Sequence, residues 1–181
     1  METILMPCRV PWAVSRSTSG VTLIHSESDV DPACTVVFGG GRMNTNGLVD
    51  SRRIEIQFVQ CYYARSCPHD DSEGIEAIGY RIEHKYNGGM NEYLNWRTQT
   101  WQRTGFCPDS GFYVAKTSEW LSGLPDLFQT DFHHYIVDGR NGYAELVARR
   151  FRWREWLWID SHREDAISRG PVVGSGKGIA E

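Results

Sequence analysis

The feature that most constrains this chain is a turn. Asp138-Gly139-Arg140-Asn141-Gly142 separates two apolar runs, one over 133–137 and a longer one over 143–159. Glycine, asparagine and aspartate tolerate the backbone geometry that a tight hairpin needs. The spacing predicts strand, turn and long strand, in a chain built on antiparallel pairing.

The long arm carries a conflict. Ala144, Leu146 and Ala148 are apolar on even positions, while Phe151, Trp153, Leu157 and Ile159 are apolar on odd ones. Side chains alternate along a strand, so strict pairing sends one set to the wrong face. One extra residue at Arg149-Arg150, a β-bulge, returns both sets to the same side. The rival is a helix over 143–158, with Ala144, Val147, Phe151 and Trp158 on one face. The turn before this run and its aromatic density favour the strand.

Other segments repeat the β pattern. Val10 to Val14 and Val21 to His25 are short β-prone runs, with Pro11 at a strand start. Cys34 to Phe38 reads as a strand ended by a loop, Gly39-Gly40-Gly41. After the turn Asn44 to Gly47, Ile54, Ile56 and Phe58 alternate with Glu55 and Gln57. Residues 78–86 alternate too, and Asn87-Gly88-Gly89 is expected to turn them into a partner strand between Met90 and Trp101. Phe112 to Ala115 is a further strand. Ser118 is placed to cap a short helix over Glu119 to Leu121, ended by Gly123 and Pro125.

The chain has 181 residues, of which 40% are hydrophobic and 12% aromatic. That is enough for one substantial core and too few for two ordinary domains. The expected fold is α+β and mostly β. It is a single domain over 1–165 of about seven to nine short antiparallel strands, as a curved sheet, sandwich or open barrel, with one or two short helices. Residues 166–181 are expected to be a flexible tail. No apolar run is long enough to span a membrane, and the acidic, proline-interrupted start is unlike a signal peptide. The expected location is the cytoplasm, with no membrane partner.

Five cysteines, an odd number without Cys-x-x-Cys spacing, are expected to be free thiols. A zinc set of Cys61, Cys67, His69 and Cys107 matches none of the usual knuckle spacings, so no metal and no other cofactor is expected. His69-Asp70-Asp71 reads as an acidic surface loop. Gly174-Ser175-Gly176-Lys177 fails as a phosphate loop, with Pro171 and Gly178 where the motif needs glycine and a hydroxyl.

His133 and His134, near Asp131 and Asp138, form the most enzyme-like cluster. A histidine can shuttle protons and a carboxylate can orient it. Neighbours on a strand point to opposite faces, so the pair is expected to be structural, one exposed and one hydrogen-bonded. No catalytic residue is assigned. A small-ligand-binding or hydrolytic enzyme with its site at His133 or His134 is the alternative.

Arg149, Arg150, Arg152 and Arg154 interleave with Phe151, Trp153 and Trp156. Aromatic and arginine residues anchor protein interfaces, and Arg150, Arg152, Arg154, Trp156 and Trp158 are the candidate contact surface. The same mixture can stack and pair with single-stranded nucleic acid. A net charge of −4 disfavours that third reading.

Residues Gly105 to Tyr113, Ser118-Glu119-Trp120-Leu121, His134-Tyr135, Gly142-Tyr143-Ala144-Glu145 and Trp153 together resemble a pattern in small uncharacterised bacterial proteins. The resemblance covers the C-terminal third and carries no activity with it. The expected function is that of a non-enzymatic bacterial protein that binds another protein, of the immunity type.

Overall fold

The computed structural model describes residues 2–15, 20–26, 33–68, 74–83, 86–157 and, by backbone alone, 172–176. Ten strands and three helices occur among them. In chain order the strands are β1 (Ile4–Pro7), β2 (Trp12–Val14), β3 (Thr22–Ser26), β4 (Ala33–Met43), β5 (Val49–Pro68), β6 (Arg81–Ile82), β7 (Phe112–Thr117), β8 (His133–Asp138), β9 (Gly142–Leu157) and β10 (Val172–Gly176). Helix α1 (Met90–Thr104) lies between β6 and β7, and α2 (Glu119–Ser122) and α3 (Leu127–Asp131) between β7 and β8. The chain is thus α+β and mostly β. No described helix is long and apolar enough to cross a membrane.

All ten strands form one curled sheet in the order β2-β4-β5-β9-β8-β7-β1-β6, with β3 also on β4 and β10 also on β9. Pairing is antiparallel except between β1 and β6. One N-terminal segment reaches both margins of the curl. Its β1 pairs with β7 and its β2 pairs with β4. Between them Cys8 N–H donates to Phe112 O at 2.8 Å, and at the end of β2 Val14 N–H donates to Ser110 O at 2.7 Å.

The concave side holds the main core. Trp12, Phe38, Ile54, Ile56, Phe58, Phe112, Tyr135, Leu146, Phe151 and Trp153 pack there in one cluster. Trp12 stacks on Phe112 and meets Trp153 edge-on, and Phe151 stands edge-on to Phe112 at 4.9 Å between centroids.

The hairpin expected at 138–142 is β8–β9, closed by the Asp138–Tyr143 pair and by Gly139 N–H donating to Gly142 O. Neither glycine takes a positive φ, so the turn does not draw on the freedom that made glycine a turn signal. Along β9 the parity changes as expected. Ala144, Leu146 and Ala148 share the core with Phe151 and Trp153. Facing β5 changes parity at the same level, with Phe58 and Cys61 both inward and Gln60 at φ 53° between them. The register shift itself lies in β5, between Cys61 and Tyr63. A crossed pair of long strands turns together there, which bends the sheet.

Five expectations need correction. Residues 90–101 are not a strand but most of α1. Gly89 N–H donates to the Glu92 carboxylate at its start, and Gly105, at φ 74°, ends it by donating to Trp101 O. Among the described residues of 78–86, only 81–82 are strand; Tyr80 and Ile82 still pack together, in a second cluster with Leu5, Tyr113 and Ile136 on the opposite side of the sheet from the main core. Gly39-Gly40-Gly41 is not a loop but lies inside β4, between β2 and β5. A Cβ on Gly40 would fall 2.4 Å from Ile54 Cδ1, and one on Gly41 2.4 Å from Val49 Cγ1, so strand packing selects glycine there. The strands are also more numerous and longer than expected, β5 alone running to 20 residues. Of the expected tail 166–181, residues 172–176 are a strand on β9, and the remainder lies outside the described residues.

Candidate functional site

Two surfaces of the sheet carry polar chemistry. The first lies on the convex side under the short helices. Outward positions of β5, β9 and β8 align there, with Arg65 beside Glu145 beside Ile136, and in the next row Tyr63, Val147 and His134. Helix α2 lies over them. Ser118 caps it, its Oγ accepting from Leu121 N–H at 2.9 Å, as the sequence pattern anticipates.

The same Ser118 Oγ lies 2.8 Å from His134 Nδ1. Donation of the hydroxyl proton to Nδ1 leaves the ring proton on Nε2. That nitrogen sits 3.6 Å from Glu145 Oε1. Glu145 is fully buried, and its two carboxylate oxygens accept from Tyr80 OH and from Arg65 Nε. The Arg65 guanidinium also lies over Trp120, 4.6 Å from the ring centroid, and Trp120 meets His134 edge-on. Burial pulls the His134 pKa down to about 4, and the Arg65 charge pulls the same way. The Glu145 carboxylate would favour imidazolium, but it is already matched by that guanidinium.

A serine and a carboxylate on the two nitrogens of one imidazole activate a nucleophile in many hydrolases, there with the serine on Nε2 and the carboxylate on Nδ1, the reverse of the arrangement at His134. Here Ser118 and Glu145 are buried and His134 has no exposed surface. The network therefore fastens α2 and the segment at Tyr80 to the sheet. His133 points the other way and is half-buried, edge-on to Tyr135. Burial lowers its pKa, while Asp131 opposes the shift. Asp131 pairs with Arg149 at 3.0 Å, and Asp138 is buried at the hairpin, where its N–H donates to Gly111 O. The two histidines and two aspartates thus do not converge, as strand alternation predicts. A cleft of about 350 Å³ opens elsewhere, between α1 and the glycines of β4, and is lined by Tyr93, Arg97, Trp101 and Asp109.

The second surface is the convex face across β3, β4, β5 and β9. It presents Ile24, Thr35, Val37, Arg53, Glu55, Gln57, Val59, Arg150, Arg152, Arg154 and Trp156, none of them buried. Arg154 pairs with Glu55 at 2.6 Å and its guanidinium lies 4.8 Å from the Trp156 ring centroid. Arg152 Nε donates to Gln57 Oε1 at 2.6 Å. The structure brings four of the five candidate contact residues together on this face. Trp158, and with it the loop His69-Asp70-Asp71, lies outside the described residues.

No protein-family model, curated protein or solved structure matches this chain.

All five cysteines are free thiols. Cys61, Cys67 and Cys107 belong to three separate packing clusters, so they do not gather as a zinc set. Among the described residues no three His, Cys, Asp or Glu side chains form a metal-binding group. Cys34 and Cys61 are neighbours in the core. Their contact lowers the Cys34 pKa, whereas the same contact and burial raise that of Cys61.

Sequence reasoning missed Arg65, Tyr80 and Glu145 of the first cluster and read Ser118 only as a helix cap. One signal was present. Glu145 interrupts a run, Tyr143 to Ala148, that is buried on both faces of β9. A carboxylate in such a run requires a buried cation or donors opposite it.

Proposed function

We propose that this chain is a protein-binding module, and that its contact surface is the convex face carrying Arg150, Arg152, Arg154 and Trp156. The observation that supports this is the composition of a sheet face that none of the described helices or loops covers. Four arginines, Arg53 among them, share it with one glutamate, and Val37, Val59 and Trp156 are only half-buried among them. An acidic partner protein complements that field, the arginines orienting it and Trp156 supplying apolar contact. A long polyanion would also meet the rest of a chain whose net charge is −4. In its narrowest form the proposal is an immunity-type role in the bacterial cytoplasm, an acidic effector being held inactive on this face.

The test compares the native chain with Arg150→Glu/Arg152→Glu as immobilised bait at near-physiological salt. A protein retained by the native chain, lost from the variant and released by raised salt is the expected result. Retention unaffected by charge reversal overturns the assignment of the face. Micromolar binding of a mixed single-stranded oligonucleotide, weakened by Trp156→Ala, overturns it in favour of nucleic acid.

A further inference from the structure

β8 flanks β9 only as far as Ala148. Past that point the same edge of β9 is taken by β10, which runs antiparallel from Val172 opposite Glu155 to Gly176 opposite Phe151. Without an occupant, the backbone N–H and C=O groups of 151–155 on that side would have no strand to pair with.

The occupant matches the edge poorly. Two of its five residues are glycine, a weak strand former, and they stand opposite Phe151 and Trp153. Opposite Arg152 and Arg154 stand Ser175 and Val173, both neutral. On the other side of β9 those arginines face Gln57 and Glu55. Directly opposed residues of an antiparallel pair share a face, and opposite charges there stabilise the pair. A carboxylate opposite Arg154 would place that guanidinium between two acids.

We propose that the β9 edge from Phe151 to Glu155 is a strand-acceptor site, held in cis by β10 and filled in trans by an extended acidic segment of the partner protein. That segment carries carboxylates at the alternate positions opposite Arg152 and Arg154 and apolar residues between them. The inference rests on the reading of the arginine face above and gives it a binding mode, in-plane addition of a strand. The tethered β10 competes with it and lowers the partner's apparent affinity by the fraction of time the edge is covered.

The experiment measures fluorescence anisotropy of a labelled peptide alternating valine and glutamate. It compares the native chain with Val173→Pro/Gly174→Pro. Alternate residues of a strand donate toward a given neighbour, so two consecutive prolines remove a donor aimed at β9 whichever the register. The proline variant is expected to bind about tenfold more tightly. Adding Arg152→Glu/Arg154→Glu should abolish binding, and a valine–lysine peptide should not bind. Equal affinity of native and proline chains overturns strand exchange while leaving the partner face standing. Tighter binding that ignores peptide charge overturns the acidic-partner reading instead. A second readout needs no variant. Saturating the native chain with the peptide should speed amide hydrogen exchange in 173–176 while 151–155 stay protected, and unchanged exchange in β10 overturns the proposal.

Discussion

His134 is buried in its neutral form, so acid should unfold this protein partly through one side chain. Its pKa falls from the ordinary 6.5 to about 4 in the folded state, from burial first and the Arg65 charge second. Because the folded value lies below the unfolded one, the unfolded chain binds more protons in the window between them. The contribution is therefore fully present above about pH 6.5 and is lost progressively as pH falls toward 4. Between pH 7.5 and pH 5 the loss comes to about 2 kcal/mol. The assay is urea unfolding at both pH values for the native chain and for His134→Gln, which keeps polar atoms toward Ser118 but does not titrate. The carboxylates common to both chains cancel in the comparison. The native chain should lose about 2 kcal/mol more than the variant. Equal losses, or an imidazole that titrates near 6.5 by NMR in the folded protein, would refute the reasoning.

Three further outcomes follow from the packing. Arg65→Ala should cost about 3–5 kcal/mol, because it strands a fully buried carboxylate, whereas Glu145→Gln, which returns a half-exposed arginine to water, should cost about 1–2 kcal/mol; the reverse order in urea unfolding contradicts the network. Gly40→Ala should cost at least ~2 kcal/mol through overlap with Ile54 and the Ala13 carbonyl, while Gly89→Ala, with open space around its Cβ, should cost no more than ~1 kcal/mol, for a poorer N-cap residue, in thermal melts of the two variants. A thiol reagent under native conditions should modify Cys67 first, since it is half-buried and the other four cysteines are buried; fast reaction of two or more thiols would contradict the core assignment.

What the sequence revealed depended on whether the signal was local. The β8–β9 hairpin, the Ile54-Ile56-Phe58 face and the Ser118 cap each rest on residues within a few positions of one another, and each was legible. Helix α1 was not. Trp101 is its one buried residue, so it has almost no apolar stripe to betray a helical period, and its boundary glycines read equally well as hairpin turns. The glycines of β4 were misread because their cause, the nearness of Ile54 and Val49, lies across a strand pair. The Arg65–Tyr80–Ser118–His134–Glu145 network spans five separate segments. The register of β5, β9 and β8 makes neighbours of Arg65, His134 and Glu145, and the segments at Tyr80 and Ser118 fold over them, none of which the chain's own order shows.

The N-terminal segment that reaches both margins of the sheet also sets a timetable. A chain growing from its N-terminus exposes Leu5, Val10 and Trp12 early. Trp12 can find Arg42 soon after, but Ile4 must wait for Thr117 to be made. Contacts so distant in sequence are slow to form, because the loop must close before they repay it. The seam at β1–β7 is therefore among the last parts to fasten. Until it does, a buried tryptophan and its apolar neighbours stay open to other chains. Crowded synthesis is therefore a circumstance in which this architecture is exposed to failure.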